Sequence, residues 1–431
     1  MRVCRLVSFA GVLLASFTAA AAESELQQQL KDDQIAPHWL YCDLPAAMAQ
    51  AKERGKPILV VLRCVPCPPG KTLDAAVMQP NADLEKLEQQ FVCVRLVHTK
   101  GLDLSLFEYD FDMSWAAMFI EPDGTVLGRY GTRVASGKEK SDSHISMAGF
   151  RSAAERALAL HKNFPANKGQ LAGKRSGRKL EYAVPEEIPG LDERAKGEVV
   201  KRENCIHCHM IREFALRAKW EAGKLTAGDL KPYPMPERIG LTMDVDDGQL
   251  VKSVAEGSAA EEAGIEIGDQ LVSMSGQPLV SLADIQWVLH SAADEATIPV
   301  TLRRDGEALT KKIEVGGNWK QSDIAWRASS WYGLRQGLKT EPLSTTDKKA
   351  RGIDEDSLAL AVKGLHGKGG PKLEQAGVRM NDVIVAVDDR TDAMSESDFL
   401  IWLRLNHGPK DSVRFTVLRG ENRRELTIPM W

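Results

Sequence analysis

Five consecutive residues, Cys205-Ile206-His207-Cys208-His209, hold the densest chemistry in the chain. Two thiols two residues apart, followed at once by histidine, form the pattern that attaches c-type haem. The thiols would add to the two porphyrin vinyl groups from one helical turn, and His209 would ligate the iron. We therefore expect covalent haem c at Cys205, Cys208 and His209. The opposite axial position is open. Met235 is the best local candidate for it, because Met210 adjoins the proximal ligand. A plain disulfide, or a zinc site shared with a second cysteine pair, is the alternative.

That second pair is Cys64-Val65-Pro66-Cys67. It follows Pro57-Ile58-Leu59-Val60-Val61-Leu62, a continuous apolar run that reads as a buried strand. A cysteine between a strand and a helix N-terminus has a lowered pKa and attacks disulfides as the thiolate. Cys64 is the expected nucleophile and Cys67 the resolving thiol. Pro68 and Pro69 delay the helix, and a structural disulfide is the competing reading. Cys93 falls in an apolar strand and Cys42 precedes this region.

The elements around these pairs set the organisation. The chain has 431 residues, 43% hydrophobic, which suits several cores. With 56 basic and 60 acidic residues, nothing points to nucleic acid. Residues 1–22 read as a signal peptide: Arg2 and Arg5, an apolar stretch, then Thr18 to Ala22. Cleavage there predicts a periplasmic or otherwise extracytoplasmic protein with no later membrane span, where disulfides persist. Helices are expected over 45–55, 81–90 and 147–161, and a strand over 91–97. A hairpin of 117–120 and 126–130 turns at Pro122-Asp123-Gly124. Residues 163–197 read as a basic, exposed linker, and 198–222 as the helix that carries the haem motif.

Residues 36–162 follow the order strand, Cys-x-x-Cys, helix, strand, hairpin, helix, which resembles the thioredoxin fold. That fold places a cis-proline opposite the active site. Here Met113-Ser114-Trp115-Ala116 lacks one, with Trp115 in its place. Further on, Ala263-Gly264-Ile265-Glu266-Ile267-Gly268-Asp269 and Ala376-Gly377-Val378-Arg379-Met380-Asn381-Asp382 repeat one plan. Residues 237–318 and, more loosely, 329–431 resemble the PDZ domains of HtrA-type exported proteases. The resemblance implies peptide capture at Ile239, Gly240 and Leu241 in the first and at Gly337 and Leu338 in the second. PDZ sites bind extended peptides by their terminal carboxylate. Helices 281–290 and 398–404 would wall the two grooves, and 364–370 is an insertion. Without a Gly-x-Ser-x-Gly or room for a trypsin-like fold, no protease is expected.

The expected fold class is therefore multi-domain. An α/β thioredoxin-like domain is joined by a short helical haem-binding segment (198–236) to two α+β PDZ-like domains. With Arg63-Cys64-Val65-Pro66-Cys67 and Arg129-Tyr130-Gly131-Thr132-Arg133, the chain resembles bacterial thioredoxin/PDZ-domain proteins, in which the first active-site position can be selenocysteine. The resemblance implies an exported thiol and haem redox protein that recruits exported proteins or peptides. A non-catalytic PDZ scaffold or sensor is the second reading.

Overall fold

The computed structural model describes residues 25–132, 143–197 and 199–431. The expected signal peptide lies outside them. Among the described residues, no helix is long and apolar enough to cross a membrane. The chain divides into two compact units. The first comprises residues up to Cys208 together with Met235–Trp319, and the second His209–Pro234 with Lys320–Trp431.

The first unit begins with a five-stranded sheet in the order β1-β3-β2-β4-β5. Its strands are β1 (Leu40–Tyr41), β2 (Ile58–Arg63), β3 (Val92–Leu96), β4 (Trp115–Ile120) and β5 (Val126–Tyr130). All six residues of β2 are buried, as its unbroken apolar run requires. It pairs in parallel with β3, Leu62 opposite Leu96, and antiparallel with β4, Arg63 opposite Trp115. Helices cover the sheet: α1 (Leu44–Arg54), α2 (Lys71–Met78), α3 (Ala82–Glu88) and α4 (Met147–Lys162). Asp43 caps α1 by accepting from the Ala46 amide, and Asn81 caps α3 by accepting from Asp83 and Leu84. Helix α4 buries Phe150, Ala153, Ala154 and Ala157 against the sheet core.

The same unit contains the first PDZ-like fold. A hairpin of β6 (Leu241–Met243) and β7 (Val251–Val254) accompanies a four-stranded sheet of β8 (Gln270–Met274), β9 (Gln277–Pro278), β10 (Ala296–Arg304) and β11 (Glu307–Val315), ordered β11-β10-β8-β9. The helix expected to wall its peptide groove spans Leu282–Ser291, and Leu282 through Leu289 are all buried. It packs on the thioredoxin-like sheet. Ser281 Oγ donates to the Arg129 carbonyl at 2.5 Å, and Gln286 Oε1 accepts from Thr132 Oγ1. Arg129 stacks over Trp287 with 4.3 Å to the ring centroid.

The segment 163–197 is not an exposed linker. Leu171, Lys174, Ile188 and Leu191 are buried, and Lys174 Nζ donates to Asp284 Oδ2 at 2.7 Å. A buried ammonium is tolerated only with such a partner. The stretch straps the PDZ-like helix to the sheet.

The second unit has a five-stranded sheet of β12 (Leu338–Pro342), β13 (Leu360–Leu365), β14 (Val383–Val387), β15 (Ser412–Arg419) and β16 (Asn422–Pro429), in that order. A helix over Glu396–Asn406 packs against it. Its core also takes in Leu216 and Trp220 from helix Cys208–Glu221. That helix is the observed part of the one expected over 198–222. Cys205 therefore lies before it, and the two thiols do not share a helical turn.

Candidate functional site

Cys64 and Cys67 follow β2 and are joined by a disulfide, with 5.4 Å between their Cα atoms. The Cys64 amide donates to the Ser114 carbonyl at 2.9 Å, which ties the start of the loop to the neighbouring strand. Arg63 holds the rest of the loop. Its guanidinium donates to the carbonyls of Cys67 (2.8 Å), Pro69 (2.6 Å) and Ser114 (3.0 Å). Helix α2 starts only at Lys71, so Pro68 and Pro69 do displace the helix N-terminus from Cys64. Gly70 makes the turn at φ +75°, where a Cβ would lie 2.7 Å from that of Trp115.

Beneath the loop lies a buried ionic cluster. Arg95, fully buried, donates to Asp74 at 2.7 and 3.0 Å and to Asp32 at 2.8 and 2.9 Å. Asp74 also faces Arg63 Nε at 3.3 Å and accepts from Trp115 Nε1 at 3.0 Å. Trp115, which stands where the family places proline, thus ties the start of β4 to this cluster. Burial lowers the Arg63 pKa, against the opposing pull of Asp74.

The two cysteines differ in exposure. Cys64 is buried at 5% exposed, whereas Cys67 is only partly covered. Part of the cover on Cys64 is the haem-motif segment. His207 Nδ1 lies 3.7 Å from Cys64 Sγ. The Ile206 carbonyl accepts from the amide (3.1 Å) and hydroxyl (3.0 Å) of Thr99. Cys205 Sγ lies 3.7 Å from the Val97 carbonyl, and Arg194 Nε donates to the Cys205 carbonyl at 2.8 Å. Sequence reasoning passed over His207, Thr99 and Arg194. None has a local signal, because each works through a partner more than ten residues away or across the sheet.

The two motif cysteines are buried. Cys205 is 1% exposed and Cys208 7%, both packed in the first unit as free thiols. Burial pushes the Cys205 thiol up to about 12 and raises Cys208 too, against the Tyr109 hydroxyl hydrogen-bonded to it. His209 belongs to the second unit, where its Nδ1 faces Glu213 Oε2 at 3.5 Å. Met235 is not placed as an iron ligand either. Its sulfur accepts from Gln286 Nε2 at 3.0 Å and Thr132 Oγ1 at 3.6 Å within the first unit. A porphyrin edge would reach the thiols only after residues 205–208 had left the sheet.

Ile239 and Leu241, expected in the first peptide groove, are fully buried, and the Gly240 amide donates to the Glu237 carbonyl. The helix expected to wall this groove is buried as well. The second is different. Gly337 and Leu338 line a cavity of about 900 Å³. The 364–370 insertion forms one wall, and a Cβ on Gly337 (φ +88°) would meet the His366 carbonyl at 2.4 Å. Arg404 also lines the cavity. It stacks over Trp220 at 4.2 Å, and its buried Nη1 has no hydrogen-bond partner among the described residues. Burial lowers its pKa to about 9.

These geometries agree with comparisons to known proteins. A thioredoxin-like family matches residues 38–122, and the PDZ domain family matches 238–315 and 368–430. The chain joins a thioredoxin-like domain to two PDZ domains. It is 27% identical over 190 residues to a probable periplasmic serine endoprotease DegP-like of Pseudomonas savastanoi pv. phaseolicola, covering 43% of this chain and 37% of that one. It is 27% identical over 157 residues to the periplasmic pH-dependent serine endoprotease DegQ of Escherichia coli, covering 36% and 31%. The chain thus spans about a third of the length of these relatives. The serine endoprotease from Yersinia pestis superposes with a TM-score of 0.17 at 29% identity, over 18% of this chain and 28% of that chain.

His98, just past β3, carries a pH signature of the thioredoxin-like domain. Burial, then Lys100, lowers its pKa from 6.5 to about 4. Between those values the unfolded chain binds the proton and the folded one does not. Stability therefore falls as pH drops through that window. The His98→Gln variant should lose less of its thermal midpoint from pH 7 to pH 4 than the parent. The difference should be roughly 1–2 kcal/mol after allowing for partial exposure. Parallel pH profiles would refute this role.

Proposed function

We propose that the chain is an extracytoplasmic thiol–disulfide exchange protein whose second PDZ domain recruits polypeptide clients. One observation carries the exchange reading: the Cys64–Cys67 disulfide stands at the end of the central strand, its loop held open by Arg63. The more exposed sulfur, Cys67, meets the client. A client thiolate attacks it, forms a mixed disulfide and releases Cys64 as thiolate; in the reverse direction Cys64 resolves the mixed disulfide. Arg63 occupies the loop carbonyls and fixes the Cys67 geometry. The periplasmic names of the relatives, with the sequence of residues 1–22, support an exported location. Reduced full-length protein should accelerate reduction of a protein disulfide reporter over a small dithiol alone. No acceleration would leave the scaffold reading.

Recruitment is assigned to the cavity beside Gly337, where Arg404 offers a buried cation to a peptide carboxylate. Peptides with free C-termini should bind at least about tenfold tighter than their amidated forms, and Arg404→Gln should erase the difference. Equal binding of both forms to the parent would sink this assignment.

Covalent haem c at Cys205 and Cys208, with His209 as ligand, is the competing proposal for these two thiols and excludes their use as a dithiol. The buried thiols do not favour it, and no step of the exchange is routed through it.

A further inference from the structure

Two cysteine pairs of identical spacing meet at one end of the thioredoxin-like sheet. Strands β2 and β3 run parallel with Leu62 opposite Leu96, so two residues later Cys64 and His98 leave neighbouring strands, about 5 Å apart. Residues 205–208 are pinned to that same end, through Val97 and Thr99. The middle of the segment, His207, touches Cys64 Sγ. The first pair is a disulfide, and Cys205 and Cys208 are free thiols three residues apart, the separation at which Cys64 and Cys67 are already bridged. The disulfide therefore has two faces. Cys67 is partly exposed, and Cys64 is covered in part by the segment that carries the second dithiol.

We propose that Cys205/Cys208 is the internal redox partner of Cys64/Cys67, passing two electrons to it without leaving the molecule. This rests on the reading of Cys64/Cys67 as an exchange pair. One thiol of the second pair loses its proton and attacks Cys64 Sγ. A sulfur–sulfur bond to Cys64 forms, the Cys64–Cys67 bond breaks, and Cys67 leaves as thiolate and takes up a proton. The remaining thiol of the second pair then attacks the sulfur bound to Cys64. The Cys205–Cys208 disulfide forms and Cys64 is released as a thiol. The first pair is reduced, the second oxidised, and no outside reagent is consumed. The reverse sequence reloads the second pair.

Trapping tests this directly. In full-length Cys67→Ala/Cys208→Ala and Cys67→Ala/Cys205→Ala, a glutathione redox buffer should link Cys64 to the remaining second-pair cysteine. Peptide mass spectrometry without reduction should find that link in more than about half the chains of at least one variant. Glutathione adducts alone on both would overturn the relay. A second measurement avoids dependence on the folding of these variants. Parent protein with only Cys64–Cys67 oxidised should redistribute the disulfide to Cys205–Cys208 at a rate independent of protein concentration, read by differential alkylation. A fixed distribution, or thioether-linked haem on Cys205 and Cys208 in protein from a haem-attaching host, would also overturn it. The Cys205→Ser/Cys208→Ser variant separates the two readings. If it still reduces the reporter while no internal link forms, the relay alone fails. If an internal link forms but the parent never accelerates the reporter, client exchange alone fails.

Discussion

Replacing Cys64 with serine will leave a protein that captures clients and cannot release them. Cys67 remains, partly exposed, with its carbonyl held by Arg63. Its thiolate can attack a client disulfide, but the sulfur that would resolve the mixed disulfide is gone. Turnover of a disulfide reporter should fall at least about a hundredfold, while client-linked protein accumulates on non-reducing gels. Cys67→Ser should lose both turnover and capture, because Cys64 is 5% exposed and covered in part by His207. This ordering follows from exposure and opposes the one that thioredoxin-like motifs suggest, in which the first cysteine is the nucleophile. Capture by Cys67→Ser and none by Cys64→Ser would show that the 205–208 cover opens freely and that the motif order holds.

Replacing Asp74 with alanine should cost about 3–5 kcal/mol of stability in the thioredoxin-like domain. Asp74 serves three donors at once: Arg95, Arg63 and Trp115 Nε1. Arg95 is fully buried and would keep only Asp32. Arg63, 2% exposed, would keep only carbonyl partners for its charge. An uncompensated buried charge costs more than the pair contributes when whole, which sets the size of the effect. Asp74→Asn keeps an acceptor without the charge and should fall between. Urea unfolding followed by tryptophan fluorescence measures both, since Trp115 sits in the cluster. A loss below about 1 kcal/mol for Asp74→Ala would mean the guanidinium groups find other partners. The same variant should slow reporter turnover, because Arg63 links the cluster to the Cys67 carbonyl.

The local elements were legible for local reasons. The run Pro57–Leu62 had to be a buried strand, and Asn81 marked the start of α3 by the capping chemistry it performs. The Ala-Gly repeat placed both PDZ folds. Cys-x-x-Cys-His is a statement about spacing alone, and it did not say that the helix begins at Cys208 or that both thiols are buried. The 163–197 stretch was misread because burial is not a local property. Its lysines and glycines read as solvated, and only a carboxylate 110 positions away makes a buried Lys174 tolerable. Helix Leu282–Ser291 shows the same limit: its buried outer face depends on the thioredoxin-like sheet, which lies far away in sequence.

That Cys64 and Cys67 could bond was legible in the sequence, since three residues of separation after a buried strand allow the bridge, while a zinc site shared with Cys205 and Cys208 stayed open there. Which sulfur faces outward was not legible. That depended on residues 205–208 docking beside β2 and burying Cys64 under His207. Spacing along a chain dictates which neighbours can bond. Burial is decided by segments distant in sequence, and here it sets which sulfur of the disulfide is the more exposed.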